Sequence, residues 1–150
     1  MSAIEISNLS YSYPGASMAP PALDSVNLSI QEGEFVCVLG YSGCGKTTLI
    51  SLLAGLIQPT SGSISLYGKP LTGPGIDRAI VFQHYSLFPW MTAIQNVLFC
   101  LKQARPALSK QQANQIAEDY LRQVGMWDAR HKFPYQLSGG MKQRVAIARA

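Results

Sequence analysis

The clearest chemistry in this chain lies in the run Gly40-Tyr41-Ser42-Gly43-Cys44-Gly45-Lys46-Thr47, which fits the spacing G-x-x-x-x-G-K-[ST]. A polyphosphate brings several negative charges into a partly dry site. Glycines let the backbone curl until successive N–H groups point inward, which makes an anion nest. A helix that starts at the end of the loop adds its own unpaired N–H groups and its positive dipole end. The Lys46 ammonium is a compact charge for the β- and γ-phosphates, and the Thr47 hydroxyl suits Mg²⁺. Gly40, Ser42, Gly43, Cys44, Gly45, Lys46, Thr47 and Thr48 are the candidate nucleotide-binding residues of this segment. By chance the four fixed positions would match in a chain of this length on the order of one time in two hundred.

The flanks fit the loop. Phe35-Val36-Cys37-Val38-Leu39 is a continuous apolar run, which predicts a strand buried on both faces of a parallel sheet. Residues 48–57 read as a mostly buried helix that Pro59 cannot continue far. A second glycine-rich stretch, Leu137-Ser138-Gly139-Gly140-Met141-Lys142-Gln143-Arg144, opens a predicted helix through Arg149. Ser138 is a good N-cap, and the two glycines permit close approach of a phosphate. Ser-Gly-Gly alone is usually only a turn.

The two motifs in this order, with the tail Ala146-Ile147-Ala148-Arg149-Ala150, resemble the nucleotide-binding subunit of ABC transporters. The resemblance implies an α/β fold: a P-loop NTPase core of the ABC ATPase type, with an N-terminal antiparallel β-subdomain and a helical subdomain. It implies ATP and Mg²⁺ as cofactors. It also implies a head-to-tail homodimer with two ATP molecules sandwiched between subunits, in which Ser138, Gly139 and Gly140 cover the γ-phosphate held by the partner's loop. Ala79-Ile80-Val81-Phe82 reads as an apolar strand, and Gln83 at its end matches the family's Q-loop glutamine. There it is assigned to Mg²⁺ with Thr47, and to the reaction with Lys46. The family places an aromatic near the start to stack on adenine, and Tyr13 fits better than Tyr11 by its distance from Pro14-Gly15. Simple packing of two tyrosines on one strand is the other reading.

The resemblance further implies transmembrane permease subunits that dock on the Q-loop and helical subdomain. Leu87, Phe88, Trp90 and Met91 are candidates for that groove, or else they fill a core between subdomains. Gly73-Pro74-Gly75 and Leu87-Phe88-Pro89-Trp90 resemble the nitrate, sulfonate and taurine importers. That points to a bacterial uptake system with a periplasmic binding protein, acting indirectly on this subunit. The transported ligand never touches the subunit, so these residues do not identify it.

Regular elements must position these motifs. Glu5–Leu9, Ser25–Ile30 and Ser63–Tyr67 alternate apolar and polar as half-buried strands do, and Pro14–Pro21 reads as a loop. Residues 92–103 and 109–124 read as helices. The second opens with the capping box Ser109-x-x-Gln112, carries Ala113, Ile116, Ala117, Tyr120, Leu121 and Val124 at helical spacing, and ends at Gly125. The chain therefore divides into a β-subdomain and loop core (1–90), a helical subdomain (91–137) and a signature helix (138–150), all within one partial nucleotide-binding domain.

Composition bounds the rest. The chain has 150 residues, of which 47% are hydrophobic and 13% charged, which excludes a disordered polymer. A net charge of +4 without interleaved aromatics argues against a nucleic-acid partner. No apolar run is long enough to span a membrane, and Met1-Ser2-Ala3-Ile4-Glu5 lacks the layout of a signal peptide. With the resemblance, this places the protein peripherally at the cytoplasmic face of the bacterial inner membrane. Cys37, Cys44 and Cys100 have no metal-ligand spacing and read as free thiols, and bulk added to Cys44 should invade the nest. His84 and His131 are isolated and are assigned neither to a metal nor to catalysis.

The resemblance covers all 150 residues but only the first part of a family member. The family continues with a metal-binding Asp, a catalytic Glu and a switch His. Phosphoryl transfer is almost entirely positioning and charge neutralisation, so the chain alone should bind nucleotide weakly and turn it over hardly at all. The complete form should hydrolyse ATP to drive uptake of a small anion such as nitrate, sulfonate or taurine. The alternative is a truncated, non-hydrolysing paralogue that serves only as partner to a full ATPase subunit.

Overall fold

Alternating apolar and polar residues near the N-terminus build an antiparallel sheet. A computed structural model describes residues 2–15 and 20–150, so the middle of the predicted 14–21 loop lies outside the described residues. Strands β1 (Ser2–Tyr11), β2 (Leu23–Gln31), β3 (Ser61–Leu66) and β4 (Lys69–Pro70) lie in the order β2-β1-β3-β4, each pair antiparallel. Ile6 stands opposite Leu28 on one side and Ile64 on the other, which makes an apolar row across one face. The spacing then breaks. Asn8 takes a positive φ of 47°, the register shifts between Ile6 and Leu9, and Leu9 returns to the buried face.

Helix α1 (Lys46–Leu53) covers that face with Leu49 and Leu52, which pack into one cluster with Ile6, Leu9, Tyr11 and Ile64. Leu9 and Leu52 are fully buried, and each contributes about 1.5–3 kcal/mol of apolar burial. The helix is shorter than the predicted 48–57 at its end. Gly55 at φ 73° donates to the Leu52 carbonyl, and Leu56 N–H donates to Ser51 O at 2.9 Å. That is a left-handed C-terminal stop.

The chain divides into two units, Met1–Arg78 and Ala79–Ala150. The second is helical: α2 (Ala93–Ala104), α3 (Lys110–Gln123) and α4 (Gly139–Arg149), with single 3₁₀ turns at Trp127–Ala129 and Pro134–Gln136. The predicted capping box is present, because Ser109 Oγ accepts from Gln112 N–H and Gln112 Oε1 accepts from Ser109 N–H. Thr92 and Gln95 make the same reciprocal pair at the start of α2. Gly125 closes α3 as the sequence predicts: Gly125 N–H donates to Arg122 O and Met126 N–H to Leu121 O. Ala113, Ala117 and Leu121 are fully buried. Small residues Ala93, Ala117 and Ala148 let the helices approach around Val97, Leu121 and Val145.

Two sequence expectations fail. Phe35–Leu39 and Ala79–Phe82 are not strands. Phe35 is 93% exposed and Leu39 85% exposed, the reverse of a strand buried on both faces. A parallel strand of this kind is held by hydrogen bonds to neighbours on each side. Among the described residues the only sheet is the antiparallel one, and neither run belongs to it.

Candidate functional site

Two groups of candidate residues form, one in each unit. In the first unit, Gly45 is the N-cap of α1 with φ 95° and ψ 1°. A Cβ there would stand 2.5 Å from the Ala22 carbonyl oxygen and 2.9 Å from Leu23 Cδ2, so both conformation and space demand glycine. Leu49 N–H makes the first intrahelical bond, to Gly45 O at 2.8 Å. The N–H groups of Lys46, Thr47 and Thr48 therefore have no acceptor within the helix. Lys46 Nζ curls back over the loop and donates to Gly40 O at 2.8 Å and Tyr41 O at 2.7 Å, with Cys44 Sγ at 3.6 Å. A Cβ on Gly40 would meet Cys44 Sγ at 2.5 Å, so the thiol takes the space that glycine leaves. Ser42, Gly43 and Thr47 are exposed, while Cys44 and Lys46 are half-buried.

The loop, the free N–H groups and one ammonium form a donor set that fits a polyphosphate. Thr47 is exposed on the first turn of α1. Thr48 is buried, and its Oγ1 lies 2.8 Å from Tyr13 Oη. The two tyrosines left open by the sequence separate here, because Tyr11 is buried and Tyr13 is 54% exposed.

In the second unit, Gln83 is exposed at the corner of a turn in which Tyr85 N–H donates to Phe82 O at 3.0 Å. Ser138 caps α4, its Oγ accepting from Met141 N–H at 3.3 Å, and Gly139 and Gly140 form an exposed first turn. A Cβ on Gly139 would lie 3.1 Å from Tyr85 Oη. From the same helix, Arg149 donates to Ser86 O at 2.5 Å and Tyr85 O at 3.1 Å. Tyr85 and Ser86 take positive φ values of 59° and 48°. The Gln83 turn and the Ser138 motif are thus tied together by Tyr85 and Arg149. Sequence reasoning missed this, since the partners lie more than sixty positions apart and carry no local signal.

It missed Asn96 too. This fully buried side chain accepts from Phe88 N–H at 2.8 Å and donates to the carbonyls of Phe88, Met91 and Thr92. One available signal was a polar residue beside the apolar stripe Ala93, Val97, Leu101. The clasp shapes the aromatic segment before α2. Phe88 packs edge-on against Phe99 at 5.0 Å, Leu87 packs on the helical core, and Trp90 is 70% exposed. Trp90, Met91 and Phe99 line a shallow groove with Gln95, Leu98 and Lys102.

A family profile described as ABC transporter matches residues 23–150. The chain belongs to the ABC transporter family. It is 56% identical over 129 residues to the nitrate import ATP-binding protein NrtD of Synechococcus elongatus, covering 86% of this chain and 47% of that one. It is 47% identical over 147 residues to the bicarbonate transport ATP-binding protein CmpD of Synechocystis sp., covering 98% and 52%. Among solved structures, the dimeric post-hydrolysis state of the ATP-binding cassette MJ0796 bound to ADP and Pi superposes with a TM-score of 0.86 at 33% identity, covering 97% of this chain and 68% of that one. The chain spans about half the length of the transport proteins it matches.

Proposed function

We propose that this chain is the nucleotide-binding part of the ATP-binding subunit of a bacterial importer for a small anion. The observation that carries this reading is the Gly45-capped start of α1, where N–H groups without a helical acceptor lie beside a Lys46 ammonium folded back onto the Gly40 and Tyr41 carbonyls of the same loop. Gly40, Ser42, Gly43, Cys44, Gly45, Lys46 and the Thr48 N–H hold the phosphates, and Tyr13 receives the adenine. Mg²⁺, when bound, neutralises charge on the β- and γ-phosphates. Thr47 is assigned to it on its exposed position, and Gln83 on the family resemblance.

Ser138, Gly139 and Gly140 serve a second subunit's nucleotide across a homodimer. The reading is supported by the likeness to a cassette solved as a dimer. Residues 91–137 act as the helical subdomain and 138–150 as the signature helix, beside the β-subdomain and loop core at 1–90. Leu87, Phe88, Trp90 and Met91 meet a permease, so Trp90→Ala should weaken co-purification with it. Nitrate and bicarbonate are the anions named for the relatives, and nitrate is the first to test. A periplasmic binding protein would deliver the anion at the cytoplasm-distal side, with this subunit peripheral on the cytoplasmic face.

The test is calorimetric titration with MgATP. Removing one partner of a desolvated charge-assisted contact costs about 2–5 kcal/mol, so Lys46→Ala should weaken binding roughly 30-fold or more. Equal affinity in wild type and Lys46→Ala would exclude the loop as the site.

A further inference from the structure

The turn that follows α3 carries a stack of charge and ring. The Arg122 guanidinium carbon lies 3.7 Å from the Trp127 ring centroid, and that of Arg130 lies 3.9 Å from it. Two guanidiniums that close to one centroid have no room on a single face, so the half-buried ring stands between them. Glu118 precedes Arg122 on α3 by the spacing that favours a helical ion pair. Yet among the described residues the one ion pair joins Arg78 and Asp77, so no carboxylate neutralises either guanidinium of the stack. Arg130 donates to the Trp127 carbonyl at 2.9 Å. Arg122 is exposed and turns to the ring instead of to Glu118. A further cation, Arg144, reaches the same turn and donates to Val124 O at 3.3 Å.

We propose that this stack is a docking point for an acidic protein segment that runs extended across it. Like charges held this near one another repel, and an anionic partner relieves the repulsion. Stacking occupies the faces of the guanidiniums, while their N–H edges suit bidentate bonds to carboxylates. The two cations lie on opposite sides of a ring, so they do not converge on one small anion. They fit two anionic groups separated by the thickness of the stack. Side chains at alternate positions of an extended peptide stand about 6.6 Å apart, which is of that size. A nucleic-acid strand fits less well, because its unbroken line of phosphates would meet the exposed carboxylate of Asp128 beside Trp127. A peptide can set a neutral residue there. Tryptophan and arginine are also the side chains that most often anchor contacts between proteins. Arg122, Trp127 and Arg130 are not among the residues assigned to nucleotide, so the inference stands apart from that reading.

The experiment uses fluorescence anisotropy on the full chain, with circular dichroism confirming the fold of each variant. The probes are a labelled peptide of alternating glutamate and threonine, its glutamine counterpart, and a single-stranded oligothymidylate of equal charge. The proteins are wild type, Arg122→Gln, Arg122→Lys, Arg130→Gln and the Arg122→Gln/Arg130→Gln double variant. Wild type should bind the acidic peptide and not the glutamine peptide. Each single glutamine variant should weaken the acidic peptide roughly 3- to 10-fold, and the double variant should weaken it more than either. Arg122→Lys keeps the charge but loses the planar fork, so its affinity should fall between wild type and Arg122→Gln. Arg130 also holds the Trp127 carbonyl, so Arg122→Gln is the deciding single variant. If wild type does not bind the acidic peptide, or binds it no better than the double variant does, the proposal is wrong. If oligothymidylate binds more tightly than the peptide and is lost in the same variants, the surface takes phosphodiesters and the proposal is equally wrong.

Discussion

The two glycine-rich motifs are built on different supports. The Gly40–Thr47 loop follows the exposed, unpaired segment Phe35–Leu39 and gains its shape at its far end, where Gly45 meets Ala22 and α1 packs on the sheet. The Ser138–Gly140 motif opens α4, which has Val145 and Ala148 in a buried core and Arg149 bonded to the Gln83 segment. One motif depends on a left-handed glycine, and the other on a capped helix whose glycines carry no positive φ. Similar residue types therefore make different demands on the chain.

The strongest way to break this contrast is to remove the support of the second unit. Asn96→Ala deletes four hydrogen bonds to the backbone of residues 88–92. The Phe88 N–H and the Met91 carbonyl would lose their partner, while the Phe88 and Thr92 carbonyls keep the N–H groups of Met91 and Asn96. The cost should be about 2–4 kcal/mol. Urea unfolding monitored through Trp90 and Trp127 should show a lower midpoint. Unchanged stability would mean that the clasp is ornamental.

Gly45→Ala attacks the loop directly. The residue has φ 95°, and a Cβ would press on Ala22 O. A non-glycine residue held in such a region costs about 1–3 kcal/mol. Hydrogen exchange at the amides of Leu49–Leu53, which are bonded within α1, should speed up while α2–α4 keep their protection. Uniform loss of protection in both units would refute the local account.

How far these features were legible follows from the range of the interactions that hold them. The caps at Ser109, Gly125 and Ser138 rest on bonds that reach at most five positions, so residue type and spacing revealed them. The antiparallel strands were legible from their alternation, although the Asn8 bulge that realigns Leu9 was not. The order Lys46, Gln83, Ser138 carries the proposed chemistry through motif order and the family resemblance. The parallel strands were misread, since an apolar run reports a preference for burial and not the presence of a neighbour. Arg149 on Tyr85, Thr48 on Tyr13 and Asn96 on Phe88 are side-chain contacts chosen by the tertiary fold. No periodicity encodes them.

The smallest predicted effect sharpens the comparison most. Gly139 has no positive φ, and its one close neighbour for a Cβ is the Tyr85 hydroxyl at 3.1 Å, the tip of a side chain that can swing by a few tenths of an ångström. Against that adjustment stands the helix propensity of alanine over glycine, up to about 1 kcal/mol in a helix interior and less in a first turn. The two effects nearly cancel, so Gly139→Ala should change stability by no more than about 0.5 kcal/mol. It should leave the unfolding midpoint where Gly45→Ala lowers it. A large loss for Gly139→Ala would show that Tyr85 cannot move, and that the turn carrying Gln83 is locked to α4 more firmly than two guanidinium bonds explain. A null result in stability would leave any effect of the same substitution on nucleotide-dependent dimerisation attributable to the contact surface of Gly139 itself.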